Sequence, residues 1–180
     1  MVEDVLLAPC QGAFFYDDQL AIRGGVEQNG FLYTGDTVTP GFSSVRMPAS
    51  AVSIGLILSD QTVVWGDMVS VQYAGAGGRD PLFNTENIIA QTRKKVVPKL
   101  KGLQISSFKS ACAFVFNHAS GQRLPLAIEY GVSQALLRAT AHAHRQSMAD
   151  LICSEFDLPK PTARVPLYAQ SGDNRETNVD

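Results

Sequence analysis

The stretch VSVQYAGAGGRDPLFN, residues 69–84, carries the most chemically suggestive spacing in the chain. An alternating apolar run stops at Gly75, Gly77 and Gly78, and Arg79 and Asp80 follow at once. Glycine-rich turns after a strand can cradle phosphate, and two known patterns make the comparison specific. A dinucleotide fingerprint needs G-x-G-x-x-G running straight into a helix. Gly75 and Gly77 fit it, but its sixth position is Asp80, followed by Pro81, which puts a carboxylate where pyrophosphate would lie. A P-loop needs Gly-Lys-Ser/Thr, and the chain has Gly78-Arg79-Asp80. The stretch reads better as a functional loop, because repeated glycine permits positive φ and close backbone approach. A plain connecting turn is the competing reading.

Other reactive side chains assemble nothing on their own. His142 and His144 stand at i and i+2 on a helical run and face different ways, unlike the i, i+4 pair of a helical zinc site. His118 stands alone near an expected helix end, where a cationic cap explains it. Asp17 and Asp18 are an acidic pair, but neighbours on a strand point to opposite faces, so a shared metal is not expected. Cys10, Cys112 and Cys153 are odd in number and far apart, which fits reduced thiols better than a disulfide framework or a metal finger. No Ser-His-Asp or Cys-His arrangement emerges, and no catalytic residue is assigned within this chain.

Composition narrows the class of partner. The chain has 180 residues, 45% hydrophobic and 18% charged, with a formal net charge of -2. That suits one packed domain, or a domain plus part of another, and argues against nucleic acid or an anionic membrane as partner. No run approaches the roughly 18 apolar residues of a membrane span. The acidic start MVEDVLLAPC is unlike a signal peptide, so a cytoplasmic location is expected.

The elements that must carry the loop follow from periodicity. Residues 2–8 read as a first strand, which GAFFYDDQLAI continues or pairs with. QNGFLYTGDTVTPGFSSVR reads as an irregular loop with a turn at Asn29-Gly30. AVSIGLILSD and QTVVWGDMVSVQ flank Asp60-Gln61 and predict a hairpin. Asn84 or Thr85 caps a helix through ENIIAQTRKKVVPKLKG, which Pro98 breaks or kinks. Its cluster of Arg93, Lys94, Lys95, Lys99 and Lys101 reads as a solvated face at a helix C-terminus. SSFKSACAFVFNH predicts a short helix. Pro125 opens the longest one, whose stripe is Ile128, Val132, Ala135, Leu136 and Ala139, with Gly131 allowing a neighbour to approach closely. Ser147 and Asp150 form a capping-box variant. Val165 to Gln170 reads as a lone strand, the first of something further on.

Several strings in this order resemble methylaspartate ammonia-lyase, a family of the enolase superfamily: FYDDQLAIRGG, GFLYTGDTVTPGF, VQYAGAGGRDPLF, RLPLAIEYGVSQALL and YAQSGDNRETNVD. The resemblance implies an α+β fold: an N-terminal capping domain, with an antiparallel sheet and helices, over residues 1–160. Residues 161–180 would be a linker and the first strand of a truncated TIM barrel. Active sites of such barrels lie at the C-terminal strand ends. By resemblance, Gln72 before the glycine-rich loop and Gln170 at the end of the barrel strand bind the substrate. Local backbone contacts by strand-end amides are the plain reading of both.

The family's reaction is the reversible elimination of ammonia from 3-methylaspartate to mesaconate, a step of glutamate degradation. It requires loss of a weakly acidic C3 proton, which the superfamily meets with Mg²⁺ and a Lys or His base. In the family these groups lie beyond the point where this sequence ends. The resemblance therefore implies Mg²⁺ held elsewhere, an inactive isolated chain, apolar surface left uncovered, and a homodimeric whole enzyme acting on a small amino acid. The alternatives are a non-catalytic interaction module reusing the fold, or another enolase-superfamily enzyme such as a dehydratase or cycloisomerase.

Overall fold

A computed structural model describes residues 1–70, 73–74, 81–117, 121 and 123–167, with only the backbone of 13, 14, 73 and 74. The first strand, β1 (Val2–Asp18), runs unbroken through the stretch that the sequence divides, and a register shift between Gln11 and Phe15 bends its pairing. It pairs antiparallel with β4 (Arg46–Leu58), which turns back antiparallel as β5 (Val63–Met68). The turn is at Asp60-Gln61 as expected: Gln61 takes φ 66, and the Asp60 carboxylate accepts from the Thr62 amide at 3.0 Å.

Two features go beyond the expectation from sequence. The irregular loop contains a small hairpin, β2 (Glu27–Asn29) and β3 (Leu32–Thr34), turning at Gly30 with φ 60. The main sheet also gains a short edge strand, β6 (Tyr73–Ala74), parallel to β1. The order is β5-β4-β1-β6. Between β1 and β2 lies a short helix, α1 (Gln19–Arg23).

The helices cover one face of this sheet. Asn84 rather than Thr85 caps α2 (Thr85–Lys95), accepting from the Asn87 amide at 2.8 Å. The break at Pro98 is real: α2 stops, and a separate turn, α3 (Val97–Leu100), carries the proline in its first positions, where no amide is needed. Two members of the basic cluster have structural work, with Lys99 Nζ donating to the Val115 carbonyl and Lys101 paired with Asp4, both at 2.7 Å. Then come α4 (Phe108–Phe116), α5 (Leu126–Ala143) and α6 (Met148–Glu155). Ser147 caps α6 through the Asp150 amide at 3.0 Å.

Packing between α5 and the sheet is set by missing side chains. The predicted stripe of Ile128, Val132, Ala135, Leu136 and Ala139 is buried against Val52, Ile54, Leu56 and Met68. Burial of each larger aliphatic side chain is worth roughly 1.5–3 kcal/mol. The helix can come this close because Gly131 faces Gly66 of β5. A Cβ on Gly66 would run into the Gly131 carbonyl, and one on Gly131 would lie 2.7 Å from both the Met68 amide nitrogen and its Cγ. Arg138 fastens the pair by donating to the Trp65 carbonyl.

The described part of the expected barrel strand, residues 165–167, is in no ladder: Val165 is 76% exposed and Leu167 98%. At this exposure its backbone groups are open to water. Leu126, Tyr130 and Phe156 also leave apolar surface exposed. Gly66→Ala should destabilise the chain by more than about 3 kcal/mol or abolish folding, because rigid backbone is what the methyl meets. Urea unfolding checks this, with Gly102→Ala, in open space but at φ 80, as the milder control.

Candidate functional site

The strongest concentration of buried charge is at the C-terminal end of β1. Asp17 and Asp18 are 6% and 0% exposed, and, as strand geometry requires, they act on different sides. Asp17 makes a two-pronged pair with Arg46: Nε to Oδ1 at 2.7 Å and Nη2 to Oδ2 at 2.8 Å. The third arm of Arg46 donates to the Phe31 carbonyl at 2.9 Å, and its guanidinium lies 4.6 Å from the Phe31 ring centroid and 4.9 Å from that of Tyr33. The pair therefore clasps the β2–β3 hairpin to the main sheet. A planar guanidinium can bond two carboxylate oxygens and stack at once, which lysine cannot.

Asp18 gathers the loop that follows the hairpin. One carboxylate oxygen accepts from the amides of Val38 at 2.7 Å and Thr39 at 2.8 Å. The other accepts from Thr39 Oγ1 at 2.6 Å and, more weakly, from the Ala21 amide at 3.4 Å, which caps α1. The Asp18 amide also donates to the Val45 carbonyl at 2.8 Å. Burial alone would raise this carboxyl's pKa; the hydrogen bonds from Thr39, Val38 and Ala21 outweigh it and hold it at about 2.

Gln72, Gln170 and residues 75–80 lie outside the described residues, as does His118. Their neighbours are informative. Tyr73 pairs with Asp17 and Ala74 with Asp18 in the parallel ladder. Beyond the glycines, Leu82 approaches Gly41, where an added Cβ would lie 3.1 Å from Leu82 Cδ2. A cleft of about 410 Å³ opens between residues 81–84, α2 and the segment that leads into α5, with Ser70, Leu82, Asn87, Gln91 and Arg123 in its wall.

The histidines are placed apart. His142 Nε2 meets Asp60 Oδ2 at 2.7 Å, and His144 Nε2 meets the Ser106 carbonyl at 2.9 Å. The His142 hydrogen bond leads in lowering the Asp60 carboxyl to about 2. Cys10, Cys112 and Cys153 are free. Among the described residues no cluster of His, Cys, Asp or Glu could hold a metal. The acidic pair is committed to Arg46 and to backbone amides, so these residues do not fit a Mg²⁺ site. Also among the described residues, no helix is long and apolar enough to cross a membrane.

The family described as methylaspartate ammonia-lyase N-terminus matches residues 1–157. The chain belongs to the methylaspartate ammonia-lyase family. It is 44% identical over 180 residues to the methylaspartate ammonia-lyase of Clostridium tetanomorphum, covering 99% of this chain and 44% of that protein. The Mg-complex structure of β-methylaspartase from the same organism matches with a TM-score of 0.86 at 43% identity, over 97% of this chain and 42% of that one. The Citrobacter amalonaticus methylaspartate ammonia lyase containing (2S,3S)-3-methylaspartic acid gives 0.86 at 42% identity, over 98% and 43% of the two chains. Muconate lactonizing enzyme from Pseudomonas fluorescens matches at 0.52 with 14% identity over 79% of this chain and 31% of that one, which is a likeness of fold alone. The fold is thus the α+β fold of the family's N-terminal part, and this chain spans less than half the length of its curated relatives.

The Asp18 geometry fixes a pH response. Its carboxyl lies at about 2 in the fold against 3.8 as the ordinary value, so its ionised form stabilises the folded chain by about 2 kcal/mol above pH 4. That contribution fades as pH falls through the interval between the two values. The unfolding free energies of the chain and of Asp18→Asn should therefore converge by about 2 kcal/mol between pH 6 and pH 2, as read by urea titration at several pH values.

Proposed function

We propose that this chain is the capping portion of an ammonia-lyase that reversibly eliminates ammonia from 3-methylaspartate to give mesaconate. One observation carries the reading. Over nearly its whole length the chain matches, with a TM-score of 0.86, a lyase structure that contains (2S,3S)-3-methylaspartic acid.

The chain's own part in such a reaction is to bind and enclose rather than to move the proton. The end of β1 pairs with β6 and holds the 36–45 loop. On the family resemblance, Gln72 immediately before β6 bonds the amino-acid portion of the substrate, and Gln170 approaches it from the first barrel strand. Two neutral amides can donate to and accept from a zwitterionic substrate without adding charge to a site that must stabilise a developing dianion. The Mg²⁺ of the whole lyase belongs outside the described residues. A cytoplasmic, homodimeric whole enzyme also belongs to this reading, on the resemblance alone. The interaction-module alternative is not favoured, since identity of 42–44% to named lyases covers nearly the whole chain.

The test joins this chain in frame to the remaining part of the Clostridium tetanomorphum relative. The expected outcome is release of ammonia from 3-methylaspartate. Gln72→Ala in the same protein should lower kcat/KM by about tenfold or more, a loss of about 1.4 kcal/mol or more of transition-state binding. A folded joined protein without turnover would contradict the reading.

A further inference from the structure

The β2–β3 hairpin is held to the domain by very little. Of residues 27–36 only Tyr33 is half-buried; the others are exposed, and none belongs to the buried core. Among the described residues, the hydrogen bonds of residues 27–34 stay inside the hairpin, such as Gln28 to the Gly30 carbonyl and Thr34 to the Glu27 carbonyl, with one exception. The exception is Arg46, whose Nη1 donates to the Phe31 carbonyl at 2.9 Å. The same guanidinium lies against the rings of Phe31 and Tyr33, and Phe15 of β1 meets Phe31 edge-on with centroids 5.1 Å apart. Both stems of the hairpin run through glycine. Gly25 has φ 93 before β2, where an added Cβ would meet nothing within 4 Å, and Gly35 has φ 137 after β3.

We propose that the β2–β3 hairpin is a strap that swings as one unit on its two glycine stems, and that Arg46 is the latch that holds it against the sheet. The latch is fixed from the sheet side. The buried Asp17 carboxylate accepts from Nε at 2.7 Å and from Nη2 at 2.8 Å, which leaves one arm and the flat faces of the guanidinium for the strap. Opening therefore breaks contacts to the strap while the Asp17–Arg46 pair stays made. Arginine suits this double role, because its rigid plane bonds a carboxylate with two donors and stacks on rings at once; a lysine ammonium can take a carboxylate or a carbonyl but presents no plane to stack. An isolated two-stranded hairpin gains little order from its own ladder in water, so its place depends on the surface it is docked to. Glycine stems absorb the change in backbone angle that a swing requires. The open strap lays bare the guanidinium face and the Phe15 ring at the end of β1. The device stands on this geometry alone and is independent of the reaction proposed above.

Backbone relaxation and amide exchange, measured by NMR on the chain as it stands, test it. In the unsubstituted chain the order parameters of residues 27–34 should match those of the main strands, near about 0.85. Arg46→Lys should lower them below about 0.6 by similar amounts in β2 and β3, and should speed amide exchange there about tenfold or more. Amides of β1 from residue 5 to 8 and of β4 from residue 53 to 57 should stay within about twofold. Phe31→Ala combined with Tyr33→Ala strips the stacking rings from the strap and leaves the Asp17–Arg46 pair in place. It should give the same pattern more weakly, and it carries the test if Arg46→Lys does not fold. Leu32→Ala, at an exposed position outside the stack, should change nothing. A hairpin that stays as ordered in these variants as in the unsubstituted chain overturns the latch. Order lost only at residues 30 and 31, or lost through β1 and β4 alike, overturns the strap as a separate unit.

Discussion

The approach of α5 to β5 at Gly131 and Gly66 governs the rest of the domain. Two backbones meet with no side chain between them, so the helix axis lies closer to the sheet than ordinary packing allows. That depth lets Val132, Ala135, Leu136 and Ala139 reach Val52, Ile54 and Leu56 with small side chains, and it leaves Met68 to fill the gap beside Thr92 of α2. Because packed interiors tolerate little change in volume, one added methyl at either glycine would move the helix off a whole row of contacts. The strand register follows from the same contact, since a slip of one residue would turn Trp65 inward and Gly66 outward.

Around this frame, carboxylates fasten distant segments. Asp17 and Asp18 hold the hairpin and the following loop, and Glu155 does the same at the other end of the domain. The Glu155 carboxylate accepts from the amides of Phe108 at 2.6 Å and Lys109 at 2.8 Å, so the end of α6 supplies an anion to the N-terminus of α4. Burial works against the ionised form, but these hydrogen bonds hold its pKa below the ordinary value. Asp18 and Glu155 accept from backbone amides, and Asp17 from the Arg46 guanidinium. The helix-covered core thus sets the layers, and a few acceptors set how loops sit against them.

The layers were readable in the sequence because they rest on local periodicity. The α5 stripe, the hairpin turn at Asp60-Gln61 and the caps at Asn84 and Ser147 each lie within a few residues of their own signal. The two acids at the end of β1 were legible as residues but not as a site. Adjacent strand positions face different ways, as expected, yet nothing local connects Asp18 to Thr39 or Asp17 to Arg46. Likewise, Glu155 and Phe108 are separated by 47 positions. β6 was missed for a related reason: two residues make no periodic pattern, and their pairing with Asp17 and Asp18 is a property of the fold. Gln72 and Gln170 came from family resemblance alone, because a strand-end amide has no signature that separates a ligand contact from a backbone one.

Trp65, the single tryptophan of the chain, lies across Gly55 on the sheet face away from the helices, 39% exposed. Its own carbonyl receives Arg138 of α5, so the same residue touches the helix through its backbone and the solvent through its ring. The domain therefore carries a built-in fluorophore on the outer face of the sheet, on a residue whose backbone meets the long helix. Any partner that settles on the outer face of β5 would shift its emission directly, and any loosening of α5 would shift it through the backbone, with no label to attach.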